Sequence, residues 1–264
     1  MASFPNIYLV IMTSHDYLFF ASQDYGASAK PANLLNNYAL MYAINRDVSP
    51  VRRVISGTQP HYEEDMPLMR TYATPAARTS DFPYDLARTA ETKVGSWLSR
   101  QRMVGSRKLE DWREEGLVKI TWNSIGSSLL DVMKRDNINV PKKGHYYKHQ
   151  PLCGYYFYVI GDEPPDVIRL GKKYTSVRLE TCEMNGEIGD GRFQPTCPVN
   201  VNDLPENTHI HQGSLLTIPP SPILVNAELE GEHIIAKDDY GYKHICPIPE
   251  KSRFASSFPE NEGN

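Results

Sequence analysis

The residues with the most chemical potential lie in Ile168–Glu180, IRLGKKYTSVRLE. Strand-like residues flank Gly171, Lys172 and Lys173, with Arg169 and Arg178 just outside and Tyr174 beside them. Glycine permits a sharp bend and lets a ligand's backbone come close. Adjacent lysines on a turn can reach successive phosphates, whereas adjacent residues of a regular strand point to opposite faces. Arginines offer forked contacts that lysine lacks, and a tyrosine face can stack on a base. The pattern suits a chain of phosphates carrying bases. An exposed hairpin with a solvated tip would have the same composition.

A second basic, aromatic stretch, PKKGHYYKH at 141–149, reads as a glycine-containing turn with Lys142, Lys143 and His145 as further RNA contacts. It is followed by a strong strand candidate, CGYYFYVI at 153–160, and the first turn comes soon after, so the two turns are expected on one face. His145, Tyr146, Lys148 and His149 could also supply the acid and base that metal-independent RNA cleavage requires. Binding is the reading preferred here. The most basic segment runs from Arg88 to Lys108. Arg88, Lys93, Arg100, Arg102, Arg107 and Lys108 stand there against one acid, Glu91, with Trp97, Leu98, Met103 and Val104 interleaved. This is a solvated basic face or an arm that touches phosphates.

Other constellations lead nowhere specific. His15–Asp16 has no nucleophile nearby and reads as a structural turn. His209 and His211 would share a strand face and could hold zinc, but no further ligand spacing supports a site, so a surface loop is expected. The four cysteines form no CxxC pair and are expected as free thiols. No phosphate-binding loop, nucleophile elbow or HExxH motif occurs. The expectation is therefore no catalytic residue, no metal and no cofactor.

The net charge of −4 hides an asymmetry. Residues 1–179 carry 23 Lys and Arg against 18 Asp and Glu, a net of +5, and residues 180–264 carry 5 against 14, a net of −9. A nucleic-acid surface needs a local positive patch rather than a basic total. No apolar run approaches the roughly 20 residues of a membrane span. Ile7–Met12 is short and soon followed by His15 and Asp16, unlike a secretory leader, so a cytoplasmic location is expected.

The elements that must position these residues follow from periodicity. IYLVIMT at 7–13 reads as a buried first strand. Asn33 is a candidate cap for a helix to about Asn45, with Leu34, Tyr38, Met41 and Tyr42 on one face. Val51–Ile55 is a possible second strand, and proline-rich 59–83 reads as an irregular excursion. Leu117–Trp122 resumes strand character, and Ser124–Arg135 has helical spacing. The opening strand, loop and helix packing back are the first half of an α+β, ferredoxin-like βαββαβ unit. Beyond Glu180, glycines and prolines break the chain into short strands at 215–218, 223–229 and 233–236. The expected organisation is a ferredoxin-like domain at 1–180 with an insertion at about 56–116, an acidic β- and loop-rich part at 181–248, and a disordered tail at 249–264.

The opening IYLVIMTSHDYLFFASQDYG, the following NLLNNYALMYAIN and the later IRLGKKYTSVRLE together resemble the Cas-five subunit of subtype I-D CRISPR Cascade complexes. The resemblance covers roughly residues 7–180. It implies a ferredoxin-like (RRM-like) domain with an inserted thumb, at the position of the 88–108 segment. It implies a non-catalytic subunit that binds the 5′ handle of the CRISPR RNA and caps the filament of backbone subunits. It also implies contact with the large subunit, near the protospacer-adjacent motif of target DNA. In another subtype the equivalent subunit cuts precursor RNA, which is the alternative to test.

Overall fold

The computed structural model describes residues 4–20, 23–24, 28–48, 60–79, 117–124, 142–171, 174–250 and 252; for 23–24, 28–30, 117–124 and 142–146 it describes the backbone alone. Lys172, Lys173 and all six basic residues of the 88–108 segment lie outside the described residues. So do the expected strand at 51–55, nearly all of the expected helix at 124–135, and most of the expected tail.

IYLVIMTS forms strand β1 (Ile7–Ser14), and all eight residues are buried. A continuous apolar run of this kind fits a strand covered on both faces. Each fully buried aliphatic side chain contributes about 1.5–3 kcal/mol. The short strands β2 (Gln23–Asp24), β3 (Ser28–Lys30) and β4 (Leu34–Leu35) follow, then helix α1 (Asn37–Ile44). The helix starts later than its sequence suggests. Leu34 and Leu35 pair as β4, and the cap is Asn36, whose side-chain oxygen accepts the Tyr38 N–H at 3.0 Å. The Asn36 amide group is also held, by the hydroxyl of Ser221 at 2.9 Å.

The stretch expected to be irregular holds a one-turn helix, α2 (Tyr62–Asp65), and two strands, β5 (Thr71–Ala73) and β6 (Ala76–Arg78). Both pair with the same later strand, with one residue of register lost at Thr74–Pro75. A proline cannot donate to a ladder, so it sits at this bulge. β7 (Leu117–Ser124) pairs with β8 (Lys142–His149), which is a full strand and not the turn expected from its glycine. β9 (Gly154–Gly161) is wholly buried. β10 (Val167–Leu170) and β11 (Thr175–Gly189) form the hairpin around Gly171.

β11 does not stop at Gly186. A Cβ there would lie 2.6 Å from the tip of Ile7, so the glycine is kept for packing inside a strand and does not break it. The C-terminal strands are β12 (Arg192–Phe193), β13 (Val199–Asn200), β14 (His209–Ile218), β15 (Ser221–Glu230), β16 (His233–Lys237) and β17 (Lys243–Pro247). The His209–His211 pair is thus on a strand, where a loop was expected.

The largest sheet runs β17-β16-β11-β1-β9-β6-β4, with β10 on β11 and β5 on β9. β1 lies at its centre, antiparallel to both β11 and β9. A second sheet joins β12, β13, β14 and β15, and a third joins β2, β3, β7 and β8. The described chain is therefore mostly β, with less helix than an α+β reading requires. The core gathers β1, β9, β10, β11 and α1, and Cys197, Ile234, Ala236, Cys246 and Ile248 from the C-terminal part enter the same cluster. A buried polar joint adds to it. Asp203 accepts the hydroxyls of Tyr38 at 2.8 Å and Tyr72 at 2.9 Å, and the Asn37 amide at 2.7 Å. No helix among the described residues is long and apolar enough to cross a membrane.

Candidate nucleic-acid interface

Ile168 and Leu170 are buried and alternate with exposed Val167 and Arg169, so β10 is anchored by one face and presents the other. Thr175, Val177 and Leu179 do the same on β11, leaving Arg178 outside. The connection closes when the Tyr174 N–H donates to the Gly171 carbonyl at 3.1 Å. Gly171 has φ +74°, and a Cβ on it would lie 2.7 Å from the Phe19 carbonyl oxygen. Only glycine fits that backbone approach. Tyr174 itself has φ 51°, rare for a bulky residue, and its side chain is 70 % exposed. Arg169 spans the turn, donating from Nη1 to the Tyr174 carbonyl at 3.2 Å. A guanidinium has five N–H donors, so this bond leaves most of its fork for a ligand.

The segment after β1 holds this turn from the side. The Thr175 hydroxyl donates to the Tyr17 carbonyl at 3.0 Å, and the His15 N–H donates to the Ser176 carbonyl at 3.1 Å. Asp16 turns the chain by accepting the Tyr17 N–H at 2.6 Å, which agrees with a structural role for His15–Asp16. Buried Leu18 exchanges two backbone hydrogen bonds with His149, at 2.8 and 3.2 Å, and its side chain rests against Gly171. One residue therefore joins the end of β8 to the glycine turn, so the two basic stretches meet. The Lys148 ammonium lies 5.7 Å from the centre of the half-exposed Tyr17 ring.

The sequence-predicted residues divide accordingly. Arg169, Gly171 and Tyr174 are assembled at one turn. Arg178 is on the same outer face two positions along the pairing, itself exposed and in an ion pair with the partly buried Glu180 at 3.5 Å. Lys142, Lys143 and His145 are on β8, opposite Ser124, Asn123 and Thr121 of β7, on the strand that leads away from His149. At about 3.3 Å per residue, Lys142 is roughly 23 Å from the Leu18–His149 bridge along the strand. Lys148 belongs to the 145–149 group for which binding is the preferred reading, whereas Tyr17 was not among the predicted RNA contacts. The signal for Tyr17 was the aromatic run DYLFF directly after a buried strand.

His149 is buried, with its Nδ1 3.0 Å from the Tyr155 hydroxyl. Burial, reinforced by the charge of Arg78, lowers its pKa to about 3. It is neutral at physiological pH and has no exposed surface to offer a substrate. His211 is paired with Glu230, and no group of three or more potential metal ligands occurs among the described residues.

The family model for the type I-D CRISPR-associated protein Cas5/Csc1 matches residues 5–256. The chain belongs to this family. No curated protein matches it. Among solved structures, a chain of the type III-B Cmr-beta complex bound to cognate target RNA and AMPPnP is similar at 10 % identity and a TM-score of 0.44, covering 84 % of this chain and 86 % of its own. A CRISPR protein from Archaeoglobus fulgidus is similar at 11 % identity and a TM-score of 0.31, covering 92 % of this chain and all of its own. The chain is thus a subunit of a CRISPR effector complex of type I-D.

Proposed function

We propose that this subunit binds the 5′ handle of the CRISPR RNA at the Leu170–Thr175 turn, without cutting it. The observation that carries the reading is the packing of Gly171 against the Phe19 carbonyl. It fixes a turn whose exposed products are an aromatic ring, Tyr174, and an arginine fork, Arg169. Lys172 and Lys173 supply phosphate charge between them, and Tyr17 with Lys148 extends the path towards β8, where Lys142, Lys143 and His145 continue it.

The sheet order supports a ferredoxin-like ancestry for this unit. β11-β1-β9-β6, all antiparallel, with α1 leading from β1 towards β5 and β6, is the order 4-1-3-2 of a βαββαβ unit. In the second crossover, β10 and the glycine turn stand where that unit has a helix. The functional turn is in this view a replaced helix. The segment containing Arg88, Lys93, Arg100, Arg102, Arg107 and Lys108 serves as a thumb on nucleic acid or on the adjacent backbone subunit. Contacts with the large subunit and with target DNA near its protospacer-adjacent motif complete the assignment.

Burial of His149 removes one of the four residues that a cleavage site would draw on, and favours binding over catalysis. The test is direct. Purified protein incubated with repeat RNA and chelator is expected to shift the RNA and leave it intact. Cutting at a single position, abolished by His145→Ala or Tyr146→Phe, would establish the endoribonuclease instead.

A further inference from the structure

We propose that strand β14 is the docking edge for another protein subunit of the effector complex, one that adds an apolar strand with a basic segment at one end. The proposal rests on the chain's membership of that complex and is independent of the RNA reading at the glycine turn.

Among the described residues β14 pairs with β15 alone, and every residue from His209 to Thr217 is exposed. Leu215 is 59 % exposed and Leu216 is 39 % exposed. They are consecutive, so they stand on opposite faces of the strand, and both faces are uncovered. Edge strands of proteins that stay free are guarded by charges, proline, bulges or short length. HIHQGSLLTI has no Lys, Arg, Asp, Glu or Pro, and ten residues is long for an edge. Its two bulges lie between Ile210 and Ser214 and guard only the first half. From Ser214 to Ile218 the register against Val225–Ser221 is regular. That half presents a row of backbone donors and acceptors with a leucine on either side, which is what strand addition uses.

Charge identifies the occupant. Around the His209 end stand Asp190, Glu206, Glu228, Glu230 and Glu232, against Arg192, which is already paired with Glu228 and Glu230. The part of the chain from residue 180 onward has a net charge of −9. RNA and DNA are repelled by such a rim, and so is a second copy of the same acidic lobe. A different protein whose apolar strand carries basic side chains at one end is attracted at the His209 end, and its strand would cover Leu215 and Leu216 from both sides.

The experiment uses the full chain co-expressed with the other subunits and CRISPR RNA. Leu215→Lys/Leu216→Lys puts the partner's own charge sign on the edge. Recovery of the variant in the purified complex is expected to fall by about 10-fold or more, the effect of losing one interface anchor. Handle-RNA affinity of the isolated variant should stay within about 2-fold of the parent, since the turn lies elsewhere. Hydrogen exchange of the unmodified protein gives a measurement that needs no variant: amides of 214–218 should exchange more slowly in the complex than in the free protein. Full incorporation of the double variant, or equal exchange at 214–218 in both states, would overturn the proposal. A parent protein that is dimeric alone and made monomeric by the substitutions would also overturn it, assigning the edge to a second copy. Loss of incorporation in a protein whose parent binds no handle RNA would leave the docking edge standing and refute only the RNA reading.

Discussion

Gly171→Ala isolates the geometry on which the proposed interface depends. Two costs add. A non-glycine residue held at φ +74° gives up about 1–2 kcal/mol. The new Cβ also meets the Phe19 carbonyl at 2.7 Å, and real Cβ atoms do not come that close, so backbone on one side must move. Backbone held in a sparsely populated region costs on the order of 1–3 kcal/mol. The segment that must yield is tied down by the Thr175–Tyr17 and Leu18–His149 hydrogen bonds, so relaxation is limited. The sum is about 2–5 kcal/mol if the turn stays in place, which for a chain of this size lowers Tm by roughly 4–20 °C. If the turn instead swings out, stability is largely kept and Tyr174 and Arg169 lose their placement. Thermal unfolding and handle-RNA titration by fluorescence anisotropy, run on the same preparation, separate these outcomes. At least one quantity must change. A variant with parental Tm and parental RNA affinity would show that the Phe19 contact fixes nothing.

Tyr174→Ala should weaken handle RNA by about 1–3 kcal/mol through lost stacking, with Tm unchanged because the ring is exposed. The Lys172→Ala/Lys173→Ala pair should flatten the salt dependence of log K by about 1–2, at roughly 0.7 per phosphate contact on a single strand; an unchanged slope would mean that neither lysine touches phosphate. His149 has a folded pKa of about 3 against an unfolded value near 6.5, so below pH 6.5 the unfolded state binds the extra proton. Stability should therefore be fully present above pH 6.5 and fall as pH drops towards 3, and His149→Gln should flatten the pH dependence of the urea midpoint in that window. Part of the slope should survive, because burial also lowers the pKa of His244. Asp203→Asn should cost about 1–3 kcal/mol for each donor left without its acceptor among Asn37, Tyr38 and Tyr72, read as a lower urea midpoint.

What the sequence made legible was local. β1 and β9 are continuous apolar runs, the alternation in IRL and TSVRL marks a hairpin with one buried face, and a glycine between two such runs marks its turn. α1 was visible, although the choice of Asn36 over Asn33 as cap depends on Leu34–Leu35 pairing with β6, which local spacing does not encode. β5 and β6 were hidden by Pro75, because a bulge that tolerates proline reads as a loop when the partner strand is unknown. β8 reads as a turn because Gly144 and the paired lysines interrupt the strand character of Tyr146 and Tyr147, and the partner strand β7 that holds it lies well upstream in sequence. The site itself is a product of distant contacts. Leu18 against His149 and Gly171, and Tyr17 against Thr175 and Lys148, join residues more than a hundred positions apart. No motif links them. The exposure of β14 was equally hidden, since LLTI has the composition of a core strand.

The most direct test of the central claim is ultraviolet crosslinking of the natively assembled complex, followed by mass spectrometry of the crosslinked peptides. Nucleotides of the 5′ handle should be found on the peptide spanning Arg169–Arg178, with Tyr174 as the principal attachment. A handle crosslinked only to other subunits, with this peptide unmodified, would contradict the account.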